Sequence, residues 1–574
     1  MKRHIGLIAL VAILLLATGL RFYRLDAQSL WNDEGNSARI AERTPALIVA
    51  GARGDIHPPG YYLLLHVWRT FCGQTEFALR SLSAIAGVAL VALTYRLGRR
   101  LFDRATGLAA ALLSAMSPLA VTYSQEARMY ALLATLGAAS TCALVAWLDA
   151  AMGADLSGDR RVNRIVLPVS YVLLGAAGLY TQYTFPFVLL VHNAVFAVWW
   201  LKLARTETGG WRRLIQWAAA QLAIVTLYLP WLQAALNSLT GWSPAGRGYS
   251  LLEAALDVAR VLTVGVTLPI ESAIPAITAT GLFIALGILP TPLRVGFARS
   301  RADSEWHGVW VPLTYLALPI GLILALDLYK PAWLKFLVVV LPPLHLMAGL
   351  GLRKLVQASG YTGDSAITPA QRVLRGVAWV LGLALLLVPL GPSLHNLYFE
   401  PVYARDNYRG IARDITAFWK PGDAIILNAP NQWEVFTYYF RERDVYPTPY
   451  HPTPQQADTF LSSVSVGRRR LFVLYWGDAE SDPTRLIENW LTEHAYSAAD
   501  HWYGNVRVTT YGLAPLPDEP QRELDARFGE AIRLRGYSLT GDRFEPGDIL
   551  PITLYWESMV PVSERYKVTV QLLD

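Results

Sequence analysis

The sequence is poor in charged residues and in cysteine. Asp, Glu, Lys and Arg make up 16% of the 574 residues, whereas soluble domains carry about 25%. Only Cys72 and Cys142 are present, and the second lies in an apolar segment, which argues against a disulfide framework. A convincing glycine-rich phosphate loop is also absent. With 53% hydrophobic residues and a mean hydropathy of +0.31, the chain is predicted to be a polytopic α-helical membrane protein.

Eleven apolar segments approach the length of about 20 residues that a bilayer-spanning helix needs. They lie near 5–20, 80–98, 105–121, 129–149, 165–182, 185–203, 214–232, 274–292, 309–326, 336–352 and 376–394. Arg21 follows the first of them in place of a small-residue cleavage site, so we expect an uncleaved helix rather than a signal peptide. Because 250–270 contains charged residues, we expect it to be an interfacial helix. Because 58–72 begins with two prolines, we expect it to be a surface or re-entrant segment.

Basic residues predict the orientation. Lys and Arg accumulate in alternate loops, near 2–3, 96–104, 160–164, 202–213, 294–301 and 353–375, as is typical of the cytoplasmic side. The N-terminus is therefore expected in the cytoplasm and the tail after 394 outside. The first outer loop breaks the rule, and its arginines form either tolerated amphipathic structure or a surface for anions: Arg21, Arg24, Arg39, Arg43, Arg53, Arg69 and Arg80. Orientation explains the net charge of +6, so nucleic acid is not an expected partner.

The tail divides into two parts. Residues 1–394 form the predicted membrane domain, 395–525 an α/β domain and 526–574 an incomplete β-sandwich-like segment. Helices are expected at 406–419 and 483–495, and strands at 424–428, 470–475, 549–557 and 566–573.

The first outer loop begins with two adjacent carboxylates, Asp33 and Glu34. A carboxylate beside the membrane surface could deprotonate an acceptor while a membrane-bound donor lies close by. The alternative is a solvated loop in which an acid caps a helix at 36–43.

Two further polar stretches lie in outer loops. In the first, Pro58 and Pro59 stiffen the loop and could hold His57 towards a phosphate, unless the segment is a simple turn. In the second, Glu126 and Arg128 lie beside the bilayer, where uncompensated charge is costly. An ordinary loop ion pair is the alternative.

Other polar residues lie close to or inside spans. Lys335, at the outer end of the tenth span, could neutralise a lipid phosphate or merely snorkel. His192 and His345 fall inside spans, and two histidines with a carboxylate could bind a divalent metal. Satisfied packing contacts are the commoner use of such residues, so no cofactor is expected.

The carboxylate pair, the His57-Pro58-Pro59 motif and the stretch 125–130 (QEARMY), in this order among many spans, resemble a GT-C glycosyltransferase. The resemblance covers roughly residues 1–440 and points to bacterial relatives of protein O-mannosyltransferases and of the lipid A aminoarabinose transferase. It implies inverting transfer of a sugar from a polyprenyl-phosphate donor to a protein, lipid or glycan acceptor on the outer face of the cell membrane.

The resemblance also implies roles for individual residues. Asp33 matches the catalytic acid of the family, with Glu34 beside it, and Glu126 falls near a second acidic position. His57 lies where the aminoarabinose transferase uses a lysine against the donor phosphate. His57, Arg128 and Lys335 are expected to stabilise the leaving phosphate by charge, and Arg80 joins this set. A transporter or flippase of lipid-linked sugars would share the spans and the basic residues but would need no carboxylate at an acceptor site.

Overall fold

The computed structural model describes the chain except for residue 1 and the segments 153–159, 205–209, 241–247, 290–304, 360–367, 442–443, 515–516, 540, 542, 545–547, 562–566 and 572–574. Several of the basic loops used above for orientation lie partly outside the described residues. The chain forms two compact units. The first comprises Met1–Gln28 and Asn36–Ala404, and the second comprises Ser29–Gly35 and Arg405–Asp574. The three-domain division stays a prediction.

The first unit is helical. Its described helices, of which α2 begins in the second unit, are α1 Lys2–Phe22, α2 Asn32–Glu42, α3 Pro45–Ala52, α4 Gly60–Cys72, α5 Glu76–Leu101, α6 Arg104–Met116, α7 Pro118–Ser124, α8 Tyr130–Ala151, α9 Arg160–Thr181, α10 Pro186–Trp199, α11 Gly210–Thr240, α12 Leu251–Val264, α13 Ile270–Ile288, α14 Glu305–Ala325, a 3₁₀ helix Pro331–Val340, α15 Leu341–Ala358, α16 Pro369–Leu387 and α17 Gly391–Phe399. The acids at 33 and 34 therefore lie inside the first turn of α2, and the helix expected at 36–43 starts earlier.

The membrane spans agree with the hydropathy pattern. Within the described residues, 8 helical segments are long and apolar enough to cross a membrane, and α6 with α7 forms a bent pair that passes the same test. The remaining two expected spans correspond to the shorter apolar helices Ile165–Thr181 and Pro186–Lys202. The chain is thus a multi-pass membrane protein. Its most buried span is Pro331–Ala358, which lies at the centre of the unit.

A buried arginine stabilises the bend between α6 and α7. The two helices meet at 58°. Pro118 begins α7 and has no N–H to give to the carbonyl of Ser114, four residues earlier. Arg21, fully buried at the end of α1, donates to this carbonyl and to that of Ala115, each at 3.1 Å. This basic residue of the first loop therefore has a structural role.

Two other arginines of that loop also bond to backbone. Arg80 is 2% exposed and its Nη1 donates to the carbonyls of Leu25 and Gln28, both at 2.8 Å. Arg69 donates to the carbonyl of Ala41 at 3.3 Å. These two arginines therefore bond to carbonyl groups of α2 and of the connection between α1 and α2. The phosphate-binding role of Arg80 stays a prediction.

The second unit contains two sheets. A five-stranded sheet has the order β2-β1-β3-β5-β4, in which β2, β1 and β3 are parallel and β5 and β4 are antiparallel; a three-stranded antiparallel sheet has the order β6-β7-β8. The strands are β1 Asp423–Leu427, β2 Val445–Pro447, β3 Arg470–Tyr475, β4 Tyr496–Tyr503, β5 Val506–Gly512, β6 Arg522–Phe528, β7 Ile532–Leu539 and β8 Ile552–Ser558, and the helices are α18 Tyr408–Phe418, α19 Trp433–Tyr439, α20 Pro454–Ser465, α21 Asp478–Ser481 and α22 Leu486–His494.

The predicted fold class is confirmed: a polytopic helical protein of about eleven spans with an α/β module and a second, β-rich segment. One strand prediction is wrong. The described part of 566–573, residues 567–571, carries no strand, because no neighbouring strand pairs with it there and alternation alone does not form a ladder.

Candidate functional site

An imidazole and a guanidinium meet in the first unit. His57 ends the loop between α3 and α4, and Arg128 lies in the turn between α7 and α8. Arg128 Nη2 lies 2.7 Å from His57 Nε2, and Arg128 Nη1 donates to Ser37 Oγ at 3.1 Å. His57 and Arg128 are each only 3% exposed. The structure therefore brings together two residues that the sequence assigned to donor binding.

The loop reaches this position because it packs tightly against α9. Pro58 and Pro59 are buried, and a Cβ on Gly60 would lie 2.5 Å from the carbonyl oxygen of Tyr180. Only glycine permits such an approach of two backbones. Gln182, just after α9, places Nε2 3.3 Å from His57 Nδ1.

His57 is neutral in this arrangement. A guanidinium has no acceptor, so His57 Nε2 must accept from Arg128 with its own lone pair. Burial, together with the charges of Arg128 and Lys335, holds the pKa of His57 well below its usual value of 6.5. The charge that this contact holds in place is that of Arg128. The role predicted for His57 against the donor phosphate stays a prediction.

Asp55, two residues before His57, bonds to a tyrosine and to backbone groups. Its Oδ2 accepts from the Tyr62 hydroxyl at 3.3 Å. Backbone N–H groups of Ile56 and His57 also bond to it. Burial raises the pKa of Asp55, and the charge of Arg128 offsets part of the rise.

Two cations lie around one buried aromatic ring. Arg128 Cζ is 5.8 Å and Lys335 Nζ 5.3 Å from the ring centroid of Tyr130, within range of a cation–π interaction. Lys335 is half-buried and lies in the 3₁₀ helix Pro331–Val340. We call Arg128, Lys335 and Tyr130 the cationic cluster. Two like charges held this close favour an anionic ligand.

An apolar groove lies beside the cationic cluster. It encloses about 410 Å³ and is lined from α10, α14 and the 3₁₀ helix, with Phe187, Ile323 and Leu337 among its walls. Phe336, the residue after Lys335, also lines it, and its ring packs 5.9 Å from that of Tyr130. One short helix thus contributes to the cluster and to the groove.

The two adjacent carboxylates have different environments. Glu34 is fully buried in the second unit and forms an ion pair with Arg405 Nη1 at 2.9 Å. Asp33 is half-buried in the first turn of α2. The segment is fixed in the second unit by Leu30, whose N–H donates to the Tyr439 hydroxyl at 2.7 Å. Glu34 therefore has a counter-charge beside it and Asp33 is the more accessible of the pair, while the catalytic roles of both stay predictions.

The remaining predicted site residues are both buried. Glu126 is 5% exposed and lies in the same turn as Arg128, whose N–H donates to the Glu126 carbonyl at 2.7 Å. Arg80 has the backbone contacts given above. Their catalytic and phosphate-binding roles stay predictions.

The described residues contain no group of three or more His, Cys, Asp or Glu side chains placed to hold a metal ion. His192 Nε2 lies 3.0 Å from Thr141 Oγ1. The cofactor prediction stays untested.

Sequence reasoning missed Ser37 and Gln182. Each bonds to a predicted site residue, but the separations of 91 and 125 residues give no local signal. For Gln182 the only hint is an amide at the end of an apolar segment. The groove was missed because its walls come from ordinary span residues.

Comparison with known proteins agrees with this architecture. The family of dolichyl-phosphate-mannose-protein mannosyltransferases matches residues 56–233, less than half of the chain. ArnT from Cupriavidus metallidurans in the apo state is 14% identical, with a TM-score of 0.56 over 89% of this chain and 98% of that one. Its structure bound to undecaprenyl phosphate is 15% identical, with a TM-score of 0.55 over 88% of this chain and 97% of that one. The apo oligosaccharyltransferase of Archaeoglobus fulgidus is 13% identical, with a TM-score of 0.51 over 86% of this chain and 73% of that one.

No curated protein sequence matches the chain significantly. At these identities the structural likeness establishes the fold. The chain therefore shares the fold of these membrane proteins, which is the GT-C fold that the sequence resemblance implied.

Proposed function

We propose that the chain is an inverting glycosyltransferase. It moves a sugar from a polyprenyl-phosphate donor to a protein, lipid or glycan acceptor at the outer face of the cell membrane. The observation that carries this proposal is the contact between the cationic cluster and the apolar groove, in which the ring of Tyr130 packs 5.9 Å from that of Phe336. A polyprenyl phosphate has the same two parts, an anionic head and an apolar chain.

The relatives support the choice of ligand. One solved ArnT structure carries undecaprenyl phosphate, a lipid of this chemistry. In this chain, Arg128 and Lys335 are the groups that would hold the phosphate. Charge-assisted hydrogen bonds to phosphate are roughly twice as strong as neutral ones. His57 and Ser37 would keep the guanidinium oriented for that contact.

The reaction proposed is a single displacement. An acceptor hydroxyl or amine attacks the anomeric carbon, its proton passes to the Asp33 carboxylate, and the bond from that carbon to the phosphate oxygen breaks. Polyprenyl phosphate leaves with the negative charge, which the cationic cluster stabilises. One displacement inverts the anomeric configuration.

Asp33 is favoured over Glu34 as the base. Glu34 is buried and paired with Arg405, whereas Asp33 is half-buried. Within α2, Asp33 also precedes Ser37 by four residues, about one helical turn.

Matched variants of these neighbours test the proposal. With a radiolabelled polyprenyl-phosphate sugar, Asp33→Asn should lower transfer about 10²-fold or more while donor binding changes little. Glu34→Gln should mainly lower the thermal unfolding temperature, because it removes the charge that pairs with Arg405. Near-parent turnover of Asp33→Asn would assign the base to Asp55 or Glu126. Absence of transfer by the parent, with movement of labelled lipid between leaflets, would favour the flippase alternative.

A further inference from the structure

The second unit carries a cleft that the transfer reaction does not use. One face of the five-stranded sheet is buried under α20 and α22, through a core that includes Leu471, Val473 and Tyr511. On the other face, Trp419 and Phe440 pack over Phe472, with ring centroids 5.2 and 6.4 Å from that of Trp419. Among the described residues, this cover stops at β3. A cleft of about 830 Å³ opens over β5 and β4 beside α18, within the usual size range of ligand sites.

The segment before β8 forms the far wall of the cleft. Ile549 packs so closely that a Cβ on Gly512 would lie 3.0 Å from its Cγ2. Asp548 Oδ1 pairs with Lys420 Nζ at 2.8 Å. The hydroxyls of Tyr496 and Thr553 lie 2.7 Å apart. These contacts hold the wall and the start of β8 beside the five-stranded sheet.

The charged groups of the cleft already have local partners. Asp414 pairs with Arg413 at 2.8 Å and also accepts from the Tyr503 hydroxyl at 2.9 Å. Arg470 pairs with Asp423 at 2.6 Å, and Asp548 pairs with Lys420 as above. An ionic ligand would therefore find little uncompensated charge, and this balance favours a neutral one.

The other lining groups combine rings with neutral hydrogen-bonding groups. Phe418 is 59% exposed at the rim, Phe472 is buried in the floor, and His501, Ser497 and Thr510 lie along β4 and β5. The exposed ring of Phe418 suits the C–H face of a sugar, and the hydroxyl and imidazole groups suit its hydroxyl groups. An extended peptide fits less well. The register of the edge strand β4 shifts between Ser497 and Ala499, and such bulges oppose strand addition.

We infer that this cleft binds a neutral oligosaccharide. The inference names a glycan as the acceptor class of the proposed transferase and rests on the proposed function in that respect. Binding itself can be measured without transfer.

The test uses the full chain in detergent, immobilised for binding measurements. The probes are neutral mannan, galactan, arabinan and glucan fragments, a phosphorylated mannan fragment and a serine–alanine octapeptide. We expect saturable binding of at least one neutral fragment, no gain from the phosphate and no binding of the peptide.

Variants on two faces of β4 localise the binding. His501→Ala, inside the cleft, should weaken it about fivefold, the value of one hydrogen bond of about 1 kcal/mol. Trp502, which is 66% exposed and does not line the cleft, gives the matched control Trp502→Ala, with parent-like binding. Ala498→Trp fills the cleft at an exposed position and should abolish binding without unfolding the domain.

The inference is overturned if no neutral fragment binds at millimolar concentration, if the peptide or the phosphorylated fragment is preferred, or if neither cleft variant weakens binding. Transfer measured on the same preparations separates the two proposals. A protein that transfers sugar but binds no neutral fragment refutes only the cleft. One that binds through the cleft but transfers nothing refutes only the transferase.

Discussion

The contact between His57 and Arg128 can be tested by asking whether His57 positions the arginine or acts by a charge of its own. Two replacements of His57 differ in one property. His57→Gln keeps an oxygen that can accept from Arg128, whereas His57→Leu keeps bulk but offers no acceptor. If the imidazole serves to hold the guanidinium, glutamine should substitute for it and leucine should not.

The size of the effect follows from the 2.7 Å contact. A hydrogen bond to a charged group contributes about 1.5–3 kcal/mol. Losing it from a buried arginine corresponds to roughly a 10- to 150-fold loss at 1.4 kcal/mol per tenfold. We expect His57→Leu to lose this much in kcat/KM for the lipid donor, mostly through KM, because Arg128 would no longer be held for the phosphate. His57→Gln should stay within about fivefold of the parent.

The assay is steady-state transfer at varied donor concentration, repeated between pH 5.5 and 8. Because His57 is already neutral, the donor KM of the parent should show no titration near pH 6.5 that the glutamine variant lacks. Equal losses in both variants would mean that the imidazole acts by its own charge or proton. Parent-like kinetics of His57→Leu would show that the pair has no part in donor binding.

Three further measurements test other parts of the structure. Lys335→Met keeps the stem beside Tyr130 but removes the charge, so donor binding should weaken about 10-fold or more while the unfolding temperature stays near the parent's; equal donor affinity would remove Lys335 from the phosphate site. The pKa of His57 is lower in the folded chain than its usual 6.5, so unfolding takes up a proton below that pH. Stability should therefore fall as pH drops below about 6.5, by up to about 1.4 kcal/mol per unit more in the parent than in His57→Gln; equal slopes in thermal unfolding would contradict this. A cytoplasm-only reporter fused after residue 400 should be inactive, because the basic loops predict that the tail lies outside, and an active fusion would reverse the topology.

The spans could be predicted because they depend on one physical requirement. A segment in a bilayer must be apolar for about 20 residues and must satisfy its own backbone hydrogen bonds as a helix. That requirement is local, so the hydropathy of the sequence contains it. Even the bend at Pro118 has a local cause, although its stabilisation by Arg21, 97 residues earlier in the sequence, does not.

The arrangement of the candidate site is not local in this sense. The sequence singled out His57 and Arg128 from separate loops, but their partners Ser37 and Gln182 come from α2 and from the residue after α9. A residue type indicates which chemistry is available. The charge state depends on burial and on the neighbouring groups, and the sequence around His57 shows neither of them.

Asp33 and Glu34 show that the sequence cannot predict the environment of a residue, even for two neighbours in the chain. Adjacent carboxylates look equivalent in a sequence, and neither periodicity nor spacing ranks them. Their difference comes from Arg405, 371 residues away from Glu34, which supplies a counter-charge for the buried acid. Because a carboxylate paired with an arginine accepts a proton less readily, Asp33 is the better candidate for the proposed base. That ranking depends on a contact between distant parts of the sequence, so the sequence alone could not supply it.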